Sequence, residues 1–190
     1  MKTLILTSLL LSSTLFLQAQ ELSLEKVESI ATKTSSDLDS KLKKELKKAK
    51  RANDLEGMTT FCVDESRKLI EQFNKELDSN ISIKRVSLNS RNNKAEALKD
   101  EESILKAFEL IQKSDAYLPK QIVQIVDENK YKVYTPIQMK SRDCKKCHGI
   151  NNKVNIETKK RFTEVYKNDN GYGYKSGDVR GAYITTISSK

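Results

Sequence analysis

The chain has no tryptophan, one histidine, three cysteines, two prolines and six glycines in 190 residues. A single histidine excludes any centre built on two imidazoles. Three cysteines fall short of the paired knuckles of a structural zinc site, which takes about four ligands. So few glycines and prolines argue against long disordered tails. The longest apolar run, Leu4 to Leu17, is interrupted only by Ser and Thr and is shorter than the roughly 18 residues a permanent membrane anchor needs. No cysteine follows that run closely, which excludes a lipid-anchored leader. Gly171, Gly173 and Gly177 miss the spacing of a dinucleotide-binding loop, and no helical pattern follows them.

The run that is present reads as a leader. "MKTLILTSLLLSSTLFLQAQ" has a basic second residue, an apolar stretch and a small residue, Ala19, ahead of a polar start at Gln20, the pattern of a secretory signal peptide spanning residues 1–19. Export to the periplasm follows, with no stable membrane insertion after cleavage. About 170 residues remain, enough for one domain with a helical extension. Apolar residues make up 37% and charged residues 32%, with a formal net charge of +9. Much of that charge lies in "KLKKELKKAKR", where seven basic residues between Lys41 and Arg51 face Glu45 alone. Such runs are usually solvated helix faces, and an acidic partner is the alternative. An exported chain without a recognition motif is a poor binder of nucleic acid.

Helix comes first along the chain. Leu24, Val27, Ala31, Leu38, Leu42 and Leu46 recur at helical spacing and predict a long helix, assigned to residues 20–52. Asn53 or Asp54 caps a second helix with Met58, Cys62, Leu69 and Phe73 on one face. "ISIKRVSLNS" then alternates as a strand does. A short helix around Glu101 to Lys113 precedes a hairpin, with strands near Ile122 to Val126 and Tyr131 to Ile137 around a polar turn. "GDVRGAYITTIS" is a last strand. The fold class is α+β: long N-terminal helices, then an antiparallel sheet with an inserted helix, in a domain over residues 53–190.

Residues 143–149 read "DCKKCHG" and hold two of the three cysteines and the only histidine. They are placed in a loop after a strand. Cys-x-x-Cys-His has a specific logic: Cys144 and Cys147 add across the two vinyl groups of haem as thioethers, and His148 reaches the iron as proximal ligand. A redox-active dithiol would sit at a helix N-terminus in a βαβ setting, and nothing in the pattern supplies one. A plain disulfide leaves the histidine unexplained. One covalent haem c is the reading, consistent with export.

The sixth ligand has three sulfur candidates, Cys62, Met58 and Met139, besides an open position. Met139 lies on the strand leading into the motif, which makes a swing to the far face awkward. Met58 and Cys62 stand four apart on one helix face. Cys62 has the stronger claim, because an unpaired thiol in an oxidising compartment is a liability unless used. Arg85, Arg91 and Arg180 are candidate partners for the haem propionates, with Arg91 preferred. Tyr166, Tyr172 and Tyr174 are candidates for the haem rim, Tyr172 first.

Taken in order, Cys62, "IKRVSLNSRN", Glu101 or Glu102 with Leu105 and Phe108, "YTPI", Cys144 to Gly149 and "YKNDNGYGYKSGDVRGA" resemble a family of exported single-haem c proteins with a PAS-like fold. Asn93, Lys167 and Gly171 depart from that pattern, at positions where the family usually has Pro, Pro and Ala. The resemblance implies a cysteine thiolate, here Cys62, opposite the motif histidine. It implies no settled activity.

An anionic thiolate stabilises the ferric state, so a His/Cys pair points to a low reduction potential. The sequence therefore leads to a periplasmic haem protein that senses redox state or a gas, working with a signalling partner. A carrier that exchanges electrons with a redox partner is the alternative. No set of acid, base and nucleophile is readable, so no enzyme activity is expected.

Overall fold

The computed structural model describes residues 22–167 and 169–189. The expected leader, residues 1–19, lies outside them. Among the described residues no helix is long and apolar enough to cross a membrane.

Ser23 caps helix α1 (Leu24–Thr60), its hydroxyl accepting the Lys26 N–H at 3.3 Å. Val27, Ala31, Leu38 and Leu42 are buried along one side of it, because steps of four and seven residues return the chain to the same face. The helix breaks at Asn53 and Asp54, whose φ/ψ values are −153°/48° and 32°/−119°. That is where a new N-cap was expected, and Asp and Asn tolerate such backbone better than other non-glycine residues. The chain packs so closely past the break that a Cβ at Gly57 would run into the Ala49 carbonyl, so only glycine fits there. A single π-helical turn, Phe61–Glu65, leads into α2 (Ser66–Glu76).

Strands β1 (Ile81–Val86), β2 (Ile122–Asp127), β3 (Lys130–Gln138) and β4 (Val179–Ser188) form one antiparallel sheet in the order β1-β4-β3-β2. Helix α3 (Lys99–Lys113) joins β1 to β2. Side chains alternate across the pleat. Ile83, Tyr183 and Ile187 pack with Tyr131 and Val133 against Leu38, Leu42, Phe73, Val27 and Ala31. Val86, Ala182, Ile184 and Tyr134 pack on the other face against Leu105 and Phe108 of α3. Each such side chain taken fully out of water contributes roughly 1.5–3 kcal/mol. The architecture is α+β, a sheet between helical layers, and the N-terminal helix shares the core of the residues that follow it.

Two elements differ from the sequence reading. The Cys-x-x-Cys-His motif lies on a short helix, α4 (Arg142–His148), and not in a loop. A further helix, α5 (Ile156–Val165), occupies a stretch to which the sequence reading assigned no element. Both carry cap signals: the side chains of Ser141 and Asn155 accept N–H groups of the first turns, and Gly149 closes α4 by donating to the Lys145 carbonyl at 3.0 Å. Seven and ten residues are too few for an apolar stripe to stand out.

Candidate functional site

Cys144, Cys147 and His148 stand at i, i+3 and i+4 on α4, so one helix face carries both thiols and the imidazole. Cys144 is half-buried beside Ser141, Sγ to Oγ 3.1 Å, while Cys147 is 4% exposed. Burial, followed by the neighbouring Cys62, pushes the Cys147 thiol up to about 12.

His148 closes α4 and is held from two sides. Burial first, then the charges of Arg180, Arg91 and Arg85, hold its pKa well below the ordinary value, against the opposing pull of the Gly171 carbonyl. The ring is therefore neutral at neutral pH, with one nitrogen carrying a proton and the other a lone pair. Nδ1 lies 2.8 Å from Gly171 O and 3.3 Å from the donor Arg180 Nε. A carbonyl can only accept, so the shorter contact assigns the proton to Nδ1 and leaves Nε2 as the free ligating nitrogen. Arg180 then acts on the ring through its charge, with Nη1 donating to Ser87 Oγ.

The glycine-rich segment is what holds this end of α4. Gly173 N donates to Gly149 O at 2.8 Å, Tyr174 N to His148 O at 3.1 Å, and Gly177 N to Met139 O at 3.0 Å. Gly173 and Gly177 have φ of 93° and 92°, a region that favours glycine.

Cys62 sits in the π-helical turn. One extra residue per turn shifts the register of the helix face, and such turns concentrate at functional sites. The turn is tied down by Ser66 Oγ donating to Cys62 O at 2.8 Å, Tyr166 OH to Val63 O at 3.5 Å, and Arg161 paired with Asp64 at 3.1 Å. Burial raises the Cys62 thiol, and Arg85 and Arg91 pull it back down.

Cys62 and His148 line one cleft of about 330 Å³, together with Arg85, Arg91, Phe162, Tyr166 and Arg180. That volume falls within the range of small-molecule sites. Arg67, Lys84 and Lys94 also line it, against Glu71 as its one acidic wall residue, so the cleft favours an anionic occupant. Arg85 makes no ion pair or side-chain hydrogen bond among the described residues. Arg91 is largely engaged: Nη2 donates to the carbonyls of Cys147 and, at 3.3 Å, Gly171; Nε lies 3.1 Å from Asp169 Oδ1. Its guanidinium is stacked between Phe162 at 3.7 Å and Tyr172 at 4.6 Å; Nε faces Asp169 as an ion pair without a hydrogen bond, and Nη1 has neither.

The remaining sequence candidates fall as follows. Met58 and Met139 are 2% and 1% exposed and do not line the cleft. Tyr172 lies behind Arg91, outside the cleft wall, and burial pushes its hydroxyl up to about 12. Tyr174 stacks under Arg180 at 5.0 Å. Asp169 entered the sequence reading only within the segment "YKNDNGYGYKSGDVRGA" that carries the family resemblance, with no role assigned, and Phe162 was not singled out, since a Phe on an unrecognised helix carries no local signal. Among the described residues no three His, Cys, Asp or Glu side chains gather as a metal-binding cluster.

Residues 14–188 match the model of the Tll0287-like family. Among solved structures, the crystal structure of the cyanobacterial heme-protein Tll0287 is similar at a TM-score of 0.61 and 20% identity, over 88% of this chain and 98% of that one. At that identity the likeness speaks for the fold. A search of curated protein sequences gave no match.

Proposed function

The chain belongs to the Tll0287-like family, and from that membership we propose that it is a periplasmic haem protein of c type, sensing redox state or a diatomic gas through a His/Cys-ligated iron. The family's name-bearing structure is described as a heme-protein. The observation that carries the reading for this chain is the shared cleft: the π-helical turn and the end of α4 bring Cys62 and His148 to the same cationic hollow.

The residues fit such a group. Cys144 and Cys147 would anchor it as thioethers, with His148 on the same helix face as proximal ligand and Cys62 as distal ligand. Arg85 and the unpartnered Nη1 of Arg91 would receive propionate carboxylates, which need charged donors at a half-buried edge. When bound, haem supplies a reversible one-electron couple and a metal at which small diatomics compete for an axial position. Cys62, as thiolate, favours the oxidised state. Its detachment would free a helical turn tethered to α5 through Arg161 and Tyr166, and so relay the event to the surface. The antiparallel sheet with a helix inserted after its first strand supports a PAS-like reading of the domain.

An electron carrier is the second reading. It is favoured by Lys146 of α4, which adjoins Lys50 of α1 through Asp143, a basic rim suited to an acidic redox partner.

Expression with haem-maturation machinery tests both. We expect a Soret band, a mass increased by one covalent haem, and an axial signature altered by reduction, CO or NO. Fast reversible reduction without ligand loss would favour the carrier, and a colourless protein of unmodified mass would end both readings.

A further inference from the structure

Asp169 places a carboxyl group behind the His148 end of α4. Its side chain is 1% exposed, and a carboxylate there must be paired to be tolerated. Oδ1 accepts the Gly171 N–H at 2.8 Å and lies 3.1 Å from Arg91 Nε, while Oδ2 has no hydrogen-bond partner among the described residues. Arg91 in turn donates Nη2 to Gly171 O at 3.3 Å and to the carbonyl of Cys147, the residue preceding His148. Gly171 O is also the acceptor of His148 Nδ1–H, at 2.8 Å. One carboxylate thus holds Gly171 on both sides of its Cα: the preceding peptide directly through the Gly171 N–H, and the following peptide through a guanidinium, clamped between two rings, that donates to the Gly171 carbonyl.

Resting on the haem reading above, we infer that Asp169 is the positioning residue for the His148 imidazole. It acts through Arg91 and Gly171, fixing where the accepting carbonyl stands and how strongly it draws on Nδ1–H. The physics is general: the group that takes the outer N–H of a ligating histidine sets its tautomer, ring orientation and basicity. Asp169 balances the Arg91 charge. With it removed, Arg91 polarises the Gly171 carbonyl more strongly toward itself, the carbonyl accepts less from His148, and the imidazole becomes a weaker donor. No Cβ is tolerated at the relay point without movement, since one built on Gly171 would stand 2.5 Å from Arg91 Nε.

The test uses the haem-loaded full chain and compares Asp169→Asn with Lys94→Gln. Asparagine keeps an acceptor for Gly171 N–H and loses the charge. Lys94→Gln removes a cleft charge without touching the Gly171 contacts. Reduction potential and the electron paramagnetic resonance g-values of the ferric form are read for both. The expected result is that Asp169→Asn moves the potential upward and shifts the g-values, which report the ligand field of the imidazole, while Lys94→Gln leaves the g-values where they are. A g-value shift no larger than that of Lys94→Gln overturns the inference and leaves haem binding standing. If Asp169→Asn does not accumulate, Arg91→Lys takes its place: lysine keeps the charge and loses the fork that reaches two carbonyls, and wild-type g-values in that variant overturn the inference as well. A wild-type protein with no Soret band instead removes the haem reading on which it rests.

Discussion

Lys50 of α1 reaches both carboxylate oxygens of Asp143 on the motif helix at 2.8 Å. The contact spans 93 residues of sequence and fastens α4 to the long N-terminal helix. Lys50 first holds the Asp143 carboxyl below its ordinary pKa, with Lys146 adding to it. A carboxylate with a lowered folded pKa stabilises the fold above its unfolded pKa, and the effect disappears as pH falls through the folded value. Both side chains are 36% exposed, so screening keeps the contribution at roughly 0.2–1 kcal/mol. Asp143→Asn should therefore lower the Tm at pH 7 and match the wild type once the pH falls below the ordinary carboxylate range. Thermal melts of both proteins across that range check this.

Glu101 is a stronger pin. It is fully buried, its carboxylate 2.8 Å from Lys84 of β1 and 3.2 Å from Lys132 of β3, and it accepts the Leu98 N–H at 3.1 Å. Lys132 keeps Asp100 at 2.7 Å, so Glu101→Ala takes the carboxylate from Lys84 and leaves a helix-end N–H without its acceptor. A buried polar group left without its partner costs about 1–3 kcal/mol, and the midpoint of chemical denaturation should fall accordingly. A loss within that of an exposed pair, below about 1 kcal/mol, would show that water reaches the site on truncation.

The strands were legible because half-buried antiparallel strands alternate: Ile81 to Val86 and Tyr131 to Ile137 show their period in sequence and keep it in the sheet. The long helix was legible through Val27, Ala31, Leu38 and Leu42. Helices α4 and α5 were not, because their stability comes from Ser141 and Asn155 caps and from contacts with distant segments rather than from a stripe. That Cys144, Cys147 and His148 stand together could be read from the sequence, since they are near neighbours in the chain; that they share a helix face could not. Arg91 illustrates the opposite limit. Its charge marked it as a carboxylate partner, whereas its three carbonyl and carboxylate contacts come from residues 147, 169 and 171, which only the fold brings together.

Removal of the thioether positions separates attachment from ligation. Cys147 is buried and Cys144 half-buried, so Cys144→Ala should be the milder lesion for the chain itself. Cys144→Ala and Cys147→Ala should each lose one of two covalent links, seen as a vinyl-type shift of the reduced absorption bands, while the remaining thioether still holds the haem against acid acetone and His148 still binds. The double variant should release its haem to acid acetone. His148→Ala should change the axial signature to that of the ligand left behind. A Cys144→Ala protein whose reduced bands match the wild type would contradict covalent attachment at Cys144.

The distal ligand can be decided by comparing two residues four apart. Before the helix is known to contain a π-helical turn, Met58 and Cys62 share a face. With the turn in place, Cys62 lines the cleft and Met58 is packed at 2% exposure outside it. Met58→Ala should therefore act as a core truncation, costing about 2–5 kcal/mol and leaving the absorption spectrum and reduction potential of the loaded protein unchanged. Cys62→Ala should do the reverse. It removes a half-buried thiol at small cost to the fold, yet takes away the anionic ligand, so the potential rises and CO binds the reduced protein without first displacing sulfur. The opposite pattern, a spectral change on Met58→Ala and none on Cys62→Ala, would move the sixth ligand to methionine and require the π-helical turn to rotate its neighbour into the cleft.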